Sequence, residues 1–149
     1  MRARDAADCI VSPGEILVAR SNTADLVGRV AMFAGSPREA VATDLTIRLW
    51  PRGGIKPGFL TAYLSWLYLS GYWKERAGGA SDSMKKITRG QIQGEQVPVP
   101  LRADQQRVVA GLSRQMVLVE RVGQSLEEQL DAINKLPATL LRRAFNGEL

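Results

Sequence analysis

Two polar, basic stretches are the parts of this 149-residue sequence whose side chains could do chemistry, and that chemistry is recognition of a polyanion. The first is Arg20-Ser21-Asn22-Thr23, with Arg29 shortly after it. The second runs from Ser83 to Gly94, where Ser83, Lys85, Lys86 and Arg89 stand without a single acid among them. Lys, Arg, Ser and Thr donate to phosphate oxygens, while Arg, Lys and Gln also match base edges in the major groove. The glycines in and before this stretch let backbone approach a ligand closely. A solvated charged loop has the same composition, so residue types alone leave both readings open. Bond-making chemistry has less to work with, because histidine is absent. That removes imidazole bases, Ser-His and Cys-His nucleophile pairs, and His-ligated zinc.

The formal charge is +5 and is unevenly spread. Thirteen Lys and Arg face nine Asp and Glu before residue 102, against seven and six from there on, so the basic excess belongs to the front of the chain. Such an excess suits a polyanionic partner. Cys9 is the single cysteine, which excludes an intramolecular disulfide and fits a reducing, intracellular setting. The most apolar run, Phe59 to Trp73, is interrupted by Thr61, Ser65, Ser70 and Gly71. It is shorter than the ~20 apolar residues that span a bilayer, so the expectation is a soluble, cytoplasmic protein.

Several short elements must position the two stretches. Pro13-Gly14 reads as a turn, Glu15 to Arg20 as a strand, Ser21 to Asp25 as a polar loop, and Val27 to Phe33 as a second strand. From Asp44 to Trp50, Leu45, Ile47 and Leu49 alternate with Thr46, Arg48 and Trp50, the period of a half-buried strand. A Pro- and Gly-punctuated loop follows. Phe59 to Trp73 then reads as a helix that packs Leu60, Tyr63, Leu64 and Leu67 on the sheet, with Trp66 and Tyr68 as further candidates. An aromatic stripe at helical spacing is more often core than a base-stacking platform. Val97-Pro98-Val99-Pro100 cannot lie inside a sheet, since proline lacks the ladder donor, and it reads as the exit from a domain spanning residues 1–100.

From Arg102 the pattern changes to a long helix with apolar residues in heptads. Leu112, Val119, Leu126 and Ile133 form one row, and Val109, Met116, Gly123 and Leu130 the other, with Gly123 as the gap. So narrow a seam calls for a partner lying along it, and Val109, Leu112, Met116, Val119, Leu126, Leu130 and Ile133 are the candidate dimerisation residues. Arg107, Arg114 and Arg121 are balanced by Glu120, Glu127, Glu128 and Asp131 on the other faces. Pro137 is expected to break the helix and leave a short final one over Ala138 to Phe145, closed by Gly147.

Three stretches together resemble the specificity subunit of type I restriction-modification systems. They are Gly14-Glu15-Ile16-Leu17-Val18-Ala19-Arg20 followed by Val27-Gly28-Arg29; Val97-Pro98-Val99-Pro100-Leu101 with Gln105-Gln106-Arg107-Val108-Val109; and Leu136-Pro137-Ala138-Thr139-Leu140-Leu141-Arg142-Arg143-Ala144-Phe145-Asn146-Gly147-Glu148-Leu149. The resemblance implies an α+β chain. A small mixed-sheet target-recognition domain with a packed helix precedes a coiled-coil-type helical spacer over residues 101–149. It implies a non-catalytic, DNA-binding specificity subunit that reads one half of a bipartite site in double-stranded DNA.

Methyltransferase subunits would dock on it and restriction subunits would join indirectly. S-adenosylmethionine, ATP and Mg²⁺ would then belong to those partners, and this chain would need no cofactor or metal. With one recognition unit and one helix the sequence resembles half-length members, which act as antiparallel homodimers. The resemblance places Arg20, Ser21, Asn22, Thr23, Arg29, Ser83, Lys85, Lys86 and Arg89 in the DNA-contacting region. The family has further strands ahead of the position matched by Gly14, where only about a dozen residues stand here. That leaves a second reading open: an interaction module that no longer reads DNA but binds methyltransferase or full-length specificity subunits through its helix. A methyltransferase reading lacks the Asn- or Asp-Pro-Pro-aromatic motif that holds a flipped adenine, and the Gly-rich cofactor loop.

Overall fold

The computed structural model describes residues 9–79 and 84–147, and Ser83 lies outside them. The chain divides into two compact units, Met1–Val109 and Ala110–Leu149.

The first unit is built on strand β1, Ile16–Ala19, whose Ile16 and Val18 point into the core while Leu17 and Ala19 are half-buried. Alternation of this kind is what a strand with one covered face produces. β2 is Ser21–Asn22, β3 Val30–Met32, β4 Thr46–Leu49 and β5 Lys85–Lys86. β1 is the middle of a three-stranded sheet in the order β3-β1-β4, antiparallel on both sides, with Val18 opposite Val30 and opposite Ile47. β2 and β5 form a separate antiparallel pair, Ser21 opposite Lys86 and Asn22 opposite Lys85. Among the described strands the pairing is therefore antiparallel rather than mixed.

Helix α1 spans Pro57–Leu69 and buries Phe59, Leu64 and Leu67. Proline at the first helical position gives up only a backbone donor that would have no partner anyway. Leu60, Tyr63 and Tyr68 pack partly against the core, but Trp66 is 59% exposed and lies on the outer face beside Tyr63. The expected single helix to Trp73 is interrupted at Gly71, whose φ of 80° no other residue type adopts cheaply, and α2 follows over Tyr72–Arg76. This break turns Trp73 inward. It becomes the largest fully buried side chain, in a core with Ile16, Val18, Val27, Ile47, Leu64, Leu67, Ile87 and Ile92.

Gly28 makes that burial possible. Its φ is +81°, and a Cβ there would lie 2.6 Å from the Trp73 side chain. Helix α3, Arg89–Gln93, lies in the stretch whose composition reads as loop. Thr88 accepts a hydrogen bond from the Gln91 amide while the Gln91 side chain accepts from the Thr88 amide, a reciprocal cap. Ile87 and Ile92 on either side of the cap are buried, so this polar-looking segment is pinned to the core.

Helix α4 is continuous over Arg102–Phe145, 44 residues or about 66 Å at helical rise. Pro137 does not end it, and the separate last helix expected over Ala138 to Phe145 is absorbed into it. Proline removes one backbone donor and crowds the carbonyl of Ile133, a cost of about 3 kcal/mol that weakens or kinks a helix without always ending it. Gly147 closes the helix at φ +72°, as its position suggested.

The first turns of α4 belong to the first unit, where Gln105 is 1% exposed. Its Oε1 accepts from the Lys56 amide at 2.8 Å, and its Nε2 donates to the carbonyls of Pro100 at 2.9 Å and Gly54 at 3.3 Å. One buried amide thus satisfies backbone groups of two segments, the loop at Gly54 and Lys56 and the exit segment at Pro100.

Candidate nucleic-acid interface

Arg20 separates β1 from β2, and its backbone is shared between the two sheets. Its amide donates to the Leu45 carbonyl at 2.8 Å, and its carbonyl accepts from the Ile87 amide at 2.9 Å. Through the second bond, which spans 67 positions of sequence, the segment carrying Arg89 is brought to the end of β1. A cleft of about 320 Å³ lies between them, lined by Arg20, Arg48 and Arg89 with Thr43, Asp44, Thr46, Ala42 and Cys9.

The three arginines are not equivalent. Arg48 is committed to Glu15: its Nε lies 2.5 Å from Oε1, and one terminal nitrogen donates to Oε2 and to the Ile10 carbonyl, both at 2.8 Å. Glu15 is buried and also accepts from the Ser12 amide at 3.0 Å. The Arg48 hydrogen bonds hold its carboxyl below the ordinary value of 4.5, against the opposing effect of burial, with the Ser12 amide assisting. Arg20 makes one long contact, 3.5 Å to the Asp44 carbonyl, and is exposed. Arg89 is exposed and has no ion-pair or hydrogen-bond partner among the described residues. Arg20 and Arg89 are therefore the two cations of the cleft available to an incoming anion.

The other candidates are distributed differently. Lys85 and Lys86 form β5, and Lys86 is exposed, while the Lys85 ammonium donates to the Gly79 carbonyl at 3.2 Å. Asn22 is half-buried and uses its side-chain oxygen to accept from the Thr23 amide at 2.9 Å. Ser21 departs from the expectation. It is buried, and its hydroxyl donates to the Met84 sulfur at 3.0 Å, because alternation along β2 turns it inward when Asn22 faces out. Arg29 stands apart from the cleft. Its carbonyl accepts from the Ala19 amide on the β3 side of β1, whereas Arg20 bonds on the β4 side.

Arg48, Thr43 and Thr46 also line the cleft beside Arg20, and no sequence motif singles them out. Part of the signal was in the strand alternation, which places Thr46 and Arg48 on the same face. Gln105 had no comparable signal, since a glutamine in the first turn of a polar helix is ordinarily solvated.

On α4 the candidate seam is uncovered. From Leu112 to Gly147 every residue except Thr139 is exposed, and Leu112, Met116, Val119, Leu126, Leu130 and Ile133 are between 44 and 65% accessible. Val109 differs: it is half-buried within the first unit, where a Cβ on Gly58 would meet its side chain at 3.6 Å. The apolar face is also wider than the two rows, since Val108, Val122 and Leu136 lie along its flank and are exposed.

No helix among the described residues is long and apolar enough to cross a membrane. Among those residues no three of Cys, Asp or Glu converge as a metal site. Searches against protein-family models and against curated proteins give no match to this chain.

Proposed function

We propose that this chain acts as a specificity subunit of the type I restriction-modification kind. It is a non-catalytic, cytoplasmic DNA-binding protein that recognises one half of a bipartite site and presents it to methyltransferase subunits. The observation that carries the reading is the presence of two features in one chain: a basic cleft with two exposed arginines, and a long helix whose apolar stripe faces solvent. S-adenosylmethionine, ATP and Mg²⁺ belong to the partner subunits, and the restriction subunit joins through them.

The stripe pairs with a second copy in antiparallel fashion. In the register that covers most of it, Leu112 faces Pro137 of the other copy, Met116 faces Ile133, Val119 faces Leu130, and Gly123 faces Leu126. This sets the one gap in the seam against a large side chain. The flank of Val108, Val122 and Leu136 stays outside such a two-stranded seam and is the surface offered to methyltransferase subunits. Two-fold symmetry then requires the DNA target to be an interrupted inverted repeat.

Electrophoretic shift of duplex DNA with purified methyltransferase subunits, with and without this chain, tests the assignment. The expected result is a supershifted complex that distinguishes among duplex sequences. A complex that forms but prefers no sequence favours the alternative, an interaction module that engages methyltransferase or full-length specificity subunits through the exposed stripe alone.

A further inference from the structure

Resting on the reading above, we infer that the cleft between Arg20 and Arg89 is a phosphodiester anchor, and that it grips the DNA backbone without reading bases. Its chemistry is that of an anion seat. Two exposed guanidiniums converge with the hydroxyl-bearing Thr43 and Thr46. Guanidinium matches a phosphate with parallel N–H donors, which makes such pairs short and strong. Arg48 is neutralised by Glu15, so among the described residues the charge left at the cleft is Arg20 and Arg89 against Asp44, an excess of cation.

Among the described residues no aromatic ring lines the cleft, whereas sites that hold a base stack it on one. The volume of about 320 Å³ admits a phosphate with part of its sugar. The backbone bonds of Arg20 to Leu45 and Ile87 fix where the anchor stands relative to the β2–β5 ribbon. That rigidity suits a contact that sets register. Base discrimination then falls to the β2–β5 ribbon, where Asn22 and Lys85 stand opposite each other on one face.

The test compares wild type, Arg89→Gln and Arg20→Gln/Arg89→Gln by fluorescence anisotropy of two unrelated duplexes over 50–200 mM KCl. One phosphate neutralised by each arginine contributes about 0.9 to the slope of log K against log salt, so the slope should fall by about 0.9 in the single variant and about 1.8 in the double, equally on both duplexes. Arg20→Lys/Arg89→Lys keeps both charges and should restore the slope while binding more weakly. Arg89 is exposed and has no partner among the described residues, so its single variant keeps the fold and isolates the charge.

An unchanged slope with DNA still bound overturns the anchor and leaves the specificity reading standing. A loss confined to one duplex sequence also overturns it, because that is base reading. If wild type binds no duplex, titration with inorganic phosphate followed by backbone amide shifts separates the two ideas. Shifts at Arg20, Thr43 and Arg89 that vanish in the double variant keep the anion seat and sink the DNA reading; no shifts sink both.

Discussion

The two units of this chain treat the same kind of residue in opposite ways. In Met1–Val109, Ile16, Val18, Ile47, Leu64 and Ile87 are closed over by their own chain. In Ala110–Leu149, Met116, Val119, Leu126, Leu130 and Ile133 stand in water along one line. A core residue gains ~1.5–3 kcal/mol from burial, whereas an exposed stripe gains nothing until something covers it. An isolated helix of ordinary composition is marginal in water. The first unit therefore has the means to be stable alone, and the second has the means to associate. The contrast also divides the proposed labour: the folded head holds DNA, and the stripe holds protein.

That division can be broken one side at a time. The largest effect is expected from Leu126→Glu/Leu130→Glu, which places charges in the proposed seam of both copies. Sedimentation equilibrium should show self-association weakened by at least about three orders of magnitude, with the denaturation midpoint of the first unit unchanged. Gly28→Ala attacks the other side. It adds a Cβ 2.6 Å from Trp73 at a positive φ, and the left-handed backbone and overpacking together should cost about 3 kcal/mol in urea unfolding followed by Trp73 fluorescence. If either variant shifted the other unit's readout equally, the two would not be separable.

A smaller effect concerns pH. Because Arg48 holds the Glu15 carboxyl below 4.5 in the folded chain, the unfolded chain binds its proton first as pH falls. The stabilisation is complete above about pH 4.5 and disappears as pH drops through the lowered folded value. Glu15→Gln should flatten that acid limb of the stability profile, measured by unfolding from pH 6 to pH 2.5, and leave a lower plateau above it. An unflattened limb would mean that other carboxylates carry the acid sensitivity.

The smallest effect sharpens the geometry of the seam. In the antiparallel register Glu120 of one copy stands beside Glu127 of the other, twice by symmetry, and like charges oppose there. Glu127→Lys converts both encounters to ion pairs and should tighten the dimer roughly fivefold at low salt. In a parallel pair residue 127 lies beside Val122 of the other copy, and the affinity would not change.

Much of the fold was legible in the residues. The alternation around Ile16 and Val18, the half-buried strand at Thr46–Leu49 and the long helix from Arg102 follow from periodicity, which tracks burial directly. What was hidden depended on tertiary closure. Ile87 reads as one apolar residue in a polar loop, and only its hydrogen bond to Arg20 shows why it is core. The Thr88 and Gln91 spacing did announce a helix start, though composition obscured it. Pro137 misleads because proline penalises a helix interior without always ending it, and the helix here continues through it. At the cleft the residue types pointed to Arg20 and Arg89 separately. Their meeting depends on β-pairing across the whole domain, which no local pattern encodes.

Mapping of methylated motifs is the most direct test of the central reading. A cell would express an adenine methyltransferase subunit with this chain, with its Arg20→Gln/Arg89→Gln variant, or with neither. The prediction is an interrupted inverted repeat that is methylated only when the wild-type chain is present. The same motif methylated without the chain, or a motif with no two-fold symmetry, would contradict the account.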